Sequence, residues 1–416
     1  MRNDVNRKRN ASRLHHPIRG VKYISLYGAL GYFTAAKRYM LGLRNAGVPF
    51  TWTPMIPGRS WGINLEPFAG RAIGNRELDP FCNRRIEYDT VIIHTSPDLY
   101  PFWIQREPHK GIIGYTAWET DRLPSRWLPH LNAVERVLVP SRWNKSVFER
   151  SGVRTPITVV PHILGEDKAP NKDSMWNVDP EDYVFYTIEN WTAGKAIWNT
   201  VRCYLDTFTA HDNTLLIIKT SEAFYHESVL TKLGTLKRVY RYVRRLLGVP
   251  RHLSIRPGAA SFAKAIQKRY RCPARIRVVA GEISEEHIHS LHHIADCYVS
   301  LCRAEGWGLS PFEAALHGKP IIMTGFGGQL DFLHKDFSFL VDHRMIPVRN
   351  DEDKKSFTPN QQWADPDLSH ASRLMREVFE NKEAAQVRGR KLRNYVQEHF
   401  QEPVVMKTLI RILKQK

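Results

Sequence analysis

The sequence predicts an α/β protein made of two doubly wound, mostly parallel sheets facing each other across a cleft. Three observations predict it. The chain has 416 residues, about twice what one hydrophobic core organises, so two to three domains are expected. Short β-branched runs alternate with amphipathic segments, the pattern of a parallel sheet covered on both faces. That alternation stops at a polar stretch and then restarts.

Residues 1–20 form a basic tail with Arg2, Arg7, Lys8, Arg9, Arg13 and Arg19. No apolar run follows, so no secretory signal is expected. Residues 21–165 read as the first domain. It opens with a strand (Tyr23 to Leu26), a turn holding Gly28 and Gly31, and a helix (Tyr32 to Ala46). Further strands are expected at Phe50–Thr53, Val91–His94, Ile112–Thr116, Val137–Pro140 and Ile157–Pro161. Helices are expected at Trp127–Val134 and Trp143–Ser151, the second closed by Gly152 as a C-cap. Residues 166–182 are polar, contain proline and lack periodicity, which reads as a linker.

Residues 183–400 read as the second domain. Its strands are expected at Val184–Ile188, Leu215–Lys219, Ile276–Ala280, Tyr298–Leu301 and Ile321–Met323. Its helices fall near 195–210, 285–295, 310–317 and 366–381. Residues 401–416 make one more amphipathic helix, expected to pack back across both domains. Ligands in this architecture bind outside the carboxyl ends of the strands, which here face the cleft.

Composition narrows the function. Apolar content of 42% with 25% charged and 11% aromatic residues excludes a disordered or fibrous chain. Lys plus Arg (61) exceed Asp plus Glu (42) by 19, which favours anionic partners. Five cysteines without C-x-x-C spacing read as free thiols of a reducing, cytoplasmic compartment, and not as a zinc site. No stretch of about 18 apolar residues is present to span a bilayer.

The segment Ala304-Glu305-Gly306-Trp307-Gly308-Leu309-Ser310-Pro311-Phe312-Glu313, continued to Gly318-Lys319-Pro320, carries the chemistry. A strand ends near Cys302, and two glycines then let the backbone approach a ligand. Pro311 suits the first turn of a helix. The amides at such a helix start, backed by its dipole, form an anion site. Glu305 lies before the turn and Glu313 on the helix, so both carboxylates can reach one ligand.

These residues resemble the signature of the retaining glycosyltransferases of family 4: Glu, seven residues, Glu, in an E-G-[FW]-G-L-x-x-x-E-A frame followed by G-K-P. Thr324-Gly325-Phe326-Gly327-Gly328-Gln329 resembles the family's small-residue turn beside the donor. In the first half, Gly114-Tyr115-Thr116-Ala117-Trp118-Glu119-Thr120-Asp121-Arg122-Leu123-Pro124, Val139-Pro140-Ser141, Val159-Val160-Pro161-His162 and His94-Thr95-Ser96-Pro97-Asp98 are similar to a bacterial subgroup of that family. The resemblance runs over roughly residues 22–400. It implies the GT-B fold of two Rossmann-like domains, and a nucleotide-diphospho-sugar donor held mainly by the second. It implies that Glu305 lies near the donor sugar and that Glu313 bonds the ribose hydroxyls. The backbone of Gly306, Trp307, Gly308, Leu309 and Ser310 would serve the sugar hydroxyls and the diphosphate. No metal and no cofactor is expected.

One departure stands out. The family places an Arg shortly before a Lys to grip the donor phosphates. Here Glu189-Asn190-Trp191-Thr192-Ala193-Gly194-Lys195 supplies the Lys but no Arg. Lys195, helped by Lys219 at the next strand end, is left to carry that charge, while Glu189 would repel it unless turned away. The resemblance implies that the loop holding Gly28 and Gly31 approaches the donor phosphates across the cleft; a purely structural turn is the alternative. Trp118, Glu119 and Asp121 follow a strand on the cleft side. Trp118 could stack on a sugar, and Glu119 or Asp121 could orient an acceptor hydroxyl; a capping acid beside a core tryptophan is the plainer alternative. His287, His289, His292 and His293 share a helix without a matching Asp or Cys set, so they do not read as a metal site.

Residues 236–247 (LKRVYRYVRRLL) form a cationic amphipathic stretch, either a membrane-surface helix or a cover for its own sheet. The expectation is a retaining, metal-independent glycosyltransferase that moves a sugar onto a saccharide or lipid-linked acceptor. It would act in surface polysaccharide or glycolipid synthesis at the inner face of the membrane. The alternatives are a sugar-nucleotide epimerase or a phosphorylase of the same fold, and a non-enzymatic anionic-surface binder. Nucleic acid is not expected as a partner, because no helix-turn-helix, zinc or RNA-binding motif accompanies the charge.

Overall fold

The computed structural model describes residues 18–28, 31–57, 65–167, 175–221, 259–350 and 353–415. The first half runs β1 (Val21–Leu26), α1 (Gly31–Asn45), β2 (Phe50–Pro57), β3 (Leu65–Pro67), β4 (Thr90–His94), α2 (Tyr100–Arg106), β5 (Gly111–Tyr115), α3 (Trp127–Leu131), β6 (Arg136–Val139), α4 (Arg142–Arg150) and β7 (Ile157–Val159). Its seven strands lie in the order β3-β2-β1-β4-β5-β6-β7. All pairs are parallel except β2 with β3. Apolar side chains on both faces of β4 are buried, as covered parallel strands require.

The second half runs β8 (Tyr183–Ile188), α5 (Ile197–Thr207), β9 (Thr214–Thr220), α6 (Ala259–Gln267), β10 (Arg275–Ala280), α7 (Glu285–Ile294), β11 (Cys297–Ser300), α8 (Leu309–Leu316), β12 (Ile321–Thr324), β13 (Phe339–Val341), β14 (His343–Pro347), β15 (Gln362–Pro366), α9 (Leu368–Glu380), α10 (Lys382–Phe400) and α11 (Glu402–Leu413). Six parallel strands lie in the order β10-β9-β8-β11-β12-β13, and β14 pairs antiparallel with β15. The fold class is thus the predicted one. Each strand order reverses beside its first strand, β1 or β8, which makes a topological switch point at the carboxyl ends.

Helix boundaries follow local chemistry. Ser141 caps α4 by accepting the amide of Asn144 (3.0 Å). Gly152 ends it at φ +100°, with Val153 N–H returning to Phe148 O, a glycine C-cap as expected. Asp367 caps α9 and Ser284 caps α7 in the same way.

Three expectations change. The stretch taken as linker contains Trp176, fully buried beside Val184, Tyr298 and Leu316 in the second core. The last helix does not straddle both domains: Val405, Met406, Leu409, Ile412 and Leu413 enter the first core beside Met40 and Leu43. Helix α10, 19 residues long, was not anticipated; its polar stretches mask a buried stripe of Ala385, Gly389, Leu392, Val396 and Phe400. The basic stretch 236–247 lies outside the described residues. Among those described, no helix is long and apolar enough to cross a membrane.

Candidate functional site

Backbone packing builds the centre of the cleft. After β11 the chain turns at Gly308, whose φ of +86° is open to glycine and whose position caps α8. Gly328 N–H donates to Glu305 O (2.9 Å). A Cβ at Gly328 would lie 1.8 Å from Gly306 O, so the small-residue turn after β12 admits no side chain there. From the opposite domain, Asn144 Nδ2 donates to Gly306 O (2.8 Å) while its Oδ1 accepts the amide of Trp118 (2.7 Å). Asn144 thereby sets the Trp118–Asp121 loop against the Glu305 turn.

One ammonium group joins the two halves. Lys195 Nζ contacts Glu305 Oε2 (2.9 Å), Glu119 Oε1 (3.2 Å) and Ala304 O (3.1 Å). It projects from the turn before α5, where Ala196 takes the left-handed conformation at φ +43°. Burial alone would lower the Lys195 pKa, but Glu119 and Glu305 hold it well above the usual lysine value. Burial raises the Glu119 pKa, with Lys195 acting against that and Glu305 adding to it.

Glu189 does not face this centre as a bare charge. Its Oε1 accepts the Ser300 hydroxyl (2.6 Å), and burial raises its pKa to about 8. Near neutral pH it is largely protonated, which relieves the repulsion expected from its sequence position.

Glu313 lies on the same helix that Gly308 caps. Its Oε1 pairs with Arg38 of α1, on the opposite domain, and its Oε2 lies 3.7 Å from His292 Nε2. Burial would raise its pKa, yet Arg38 and His292 pull it down to about 2. Arg38 also donates to Ile163 O (3.2 Å). The cleft is closed at this point: a Cβ on Gly31 would sit 3.5 Å from Leu309 Cδ1.

The structure therefore gathers Glu119, Lys195, Glu305, Gly306, Gly308, Leu309 and Glu313 along one seam, with Gly31 facing it and Ser310 in the first turn of α8. Trp307 is buried among Phe312, Phe332 and Phe400, leaving its backbone to the turn, and its amide reaches Glu305 Oε1 (3.3 Å). Two residues lie elsewhere. Asp121 Oδ1 accepts the amide of Gln362 (2.6 Å) and pins the start of β15, so it is not aimed at the Lys195 cluster. Lys219 donates to Thr220 O (3.1 Å) and Gly281 O (2.7 Å) at the ends of β9 and β10. Trp118 is not a free platform either, since Phe357 stacks on it (4.9 Å) and Trp127 meets its edge.

Sequence reasoning missed Arg38 and Asn144. Neither lies in a motif; α1 and α4 carry them to the cleft, and only the closed arrangement of two domains gives them their partners Glu313 and Gly306 O.

Residues 241–409 match the family model described as Family 4 Glycosyltransferase in conflict systems. That match spans less than half of the chain; the chain has the GT-B fold, and its second half is similar to family 4 glycosyltransferases. Among solved structures, the chain is similar to sucrose-phosphate synthase from Thermosynechococcus elongatus at 12% identity and TM-score 0.63, covering 95% of this chain and 98% of that one. It is similar to a trehalose-6-phosphate structure from E. coli, bound with UDP-2-fluoro glucose, at 11% identity and TM-score 0.60, covering 95% and 99%. It is also similar to S. aureus TarM, solved as a mutant with fondaparinux, alpha-GlcNAc-glycerol and UDP, at 10% identity and TM-score 0.51. There the match covers 78% of this chain, and the chain spans about half of TarM's length, 55%. At such identities the likeness carries the fold. No curated protein matches the sequence.

Proposed function

We propose that the protein is a retaining glycosyltransferase that takes a nucleotide-diphospho-sugar donor along the seam between Lys195 and Glu313. The observation that carries the reading is the pairing of two opposite electrostatic sites on one turn-and-helix unit. Lys195 and the first amides of α8 attract the diphosphate, and Glu313 offers acceptor oxygens to ribose hydroxyls. Relatives of the same fold were solved with UDP or a UDP-sugar, which supports a donor of that class.

For the donor to enter, the closed cleft parts, and Lys195 exchanges a carboxylate for phosphate oxygen. The bond from the sugar's anomeric carbon to the diphosphate breaks while the acceptor oxygen bonds to the same face of that carbon. The acceptor's proton passes to the departing diphosphate oxygen. Glu305, held by Lys195, orients the sugar, and Glu119 lies beside it on the acceptor side. The charge is handled by the chain's own ammonium and amides, without a divalent ion at the diphosphate. Asp121 acts only by holding the Glu119 loop, and Lys219 contributes long-range positive potential.

The acceptor in this reading is a saccharide or lipid-linked saccharide, made into surface polysaccharide or glycolipid at an inner membrane face. The charge excess of 19 supports attraction to such a surface. The deciding experiment is calorimetric titration with UDP-, GDP- and ADP-sugars, followed by anomer analysis of the glycoside formed. Saturable binding of one donor class and a product of unchanged configuration are expected. No binding of any of them, or an inverted product, overturns the reading.

A further inference from the structure

We propose that Asp167, His293 and His317 form a site for one divalent transition-metal ion, zinc foremost, which fastens the crossing between the domains to the second domain. The three residues come from separate places. Asp167 lies eight residues beyond β7 on the crossing segment, His293 is the penultimate residue of α7, and His317 follows α8 directly. The geometry already has the dimensions of a metal site. His317 Nδ1 lies 3.3 Å and His293 Nε2 3.6 Å from Asp167 Oδ1, and the three ligand atoms all fall within 4.8 Å of one another. Zinc bonded tetrahedrally at about 2.0–2.1 Å separates its ligand atoms by about 3.4 Å. Small side-chain rotations complete the third edge.

The surroundings suit the same ion. Arg393 holds the other carboxylate oxygen, Oδ2, at 2.9 Å and so presents Oδ1 to the two rings. Lys319 Nζ bonds His293 O (2.9 Å), fixing the end of α7 beside the start of β12. The His317 side chain is only 2% exposed, and its Nε2 has no hydrogen-bond partner. Two imidazoles and one carboxylate select zinc-like ions over magnesium or calcium, which require oxygen ligands. The fourth position is left for water.

The site has a position that matters. His292 stacks on His317 (5.2 Å, 10° between planes) and its Nε2 reaches Glu313. One ring therefore separates the metal ligands from the acid proposed to bind the donor ribose. A metal here would hold the interdomain segment near Asp167 against α7 and α8.

The test uses the full chain, stripped with a chelator and titrated with Co²⁺, whose visible absorption reports tetrahedral coordination, and then with Zn²⁺. One Co²⁺ per chain with a visible band, displaced by one equivalent of Zn²⁺ and unaffected by excess Mg²⁺, is the expected result. Asp167→Asn and His317→Gln are each expected to weaken Zn²⁺ binding at least tenfold. His293→Gln, at a partly exposed position, should do the same while its melting in chelator matches wild type. An absent band, or a band of equal strength in all three variants, overturns the site and leaves an ordinary Asp–His–Arg cluster.

Discussion

The two ends of the cleft solve different problems. At one end a single cation, Lys195, is shared by Glu119 and Glu305 with Glu189 close behind, so acid is in excess. At the other end one acid, Glu313, has the Arg38 guanidinium to itself, so acid and cation are matched. The carboxyl pKa values diverge accordingly, rising to about 8 at Glu189 and falling to about 2 at Glu313. The lesson is that burial alone does not set the charge of a cleft acid. The number of cations offered to it decides the sign.

The largest break in this comparison should come from Lys195→Ala. It strands Glu119 and Glu305 without their cation, and removing one partner of a buried pair costs roughly 3–5 kcal/mol. Donor affinity should fall at least tenfold, since a charged hydrogen bond contributes about 1.5–3 kcal/mol. Thermal melting and nucleotide titration read both effects. A variant that melts and binds like wild type would remove Lys195 from the centre.

Arg38→Met should come next and should show its effect through pH. Glu313 is lowered from an ordinary 4.5 to about 2 in the folded chain. Its contribution to stability is therefore present above about pH 4.5 and is lost as pH falls towards 2. The stability gap between wild type and Arg38→Met, measured by urea unfolding, should be full at pH 6 and shrink by pH 3. A gap that stays constant with pH would mean that Arg38 acts through packing alone.

Glu189→Gln sharpens the contrast from the other side. A carboxyl raised to about 8 favours folding below the unfolded value, and that benefit disappears as pH rises through 8. The glutamine variant, which cannot ionise, should gain melting temperature over wild type at pH 8.5 and little at pH 5. Equal gains at both would show that Glu189 ionises normally. Lys219→Ala should have the smallest effect on donor binding, because that ammonium is satisfied by Thr220 O and Gly281 O at the strand ends. Nucleotide titration beside Lys195→Ala fixes the order.

Much of the fold was legible because parallel strands buried on both faces are continuous apolar runs, as at Thr90–His94 and Thr214–Thr220. The Glu305–Glu313 unit was legible because its glycines, proline and acids are contiguous in sequence. Arg38, Asn144 and the Asp167–His293–His317 group were not. Each has a deciding partner on a distant element, Glu313 for Arg38, Gly306 for Asn144 and Asp167 for the two histidines, and no local spacing records a contact made across 100 or more residues. Trp118 misled for a related reason: an aromatic after a cleft-side strand looks available until Phe357 is seen lying on it. Helix α10 was obscured because Arg, Lys and Gln separate its few core residues, so its apolar stripe is narrow.

Helix α11 has a consequence for how the protein is made. Val405, Met406 and Leu409 complete a core begun by Val21, Tyr23 and Met40, and a Cβ on Gly42 would lie 2.6 Å from Met406 Sδ. Domains ordinarily fold as units, the amino-terminal one first, while synthesis continues. Here the amino-terminal domain leaves the apolar face of α1 uncovered by α11 until residues 402–413 have been translated. The first core is therefore completed only after the second half of this sequence has been made, so its folding is coupled to synthesis of α11.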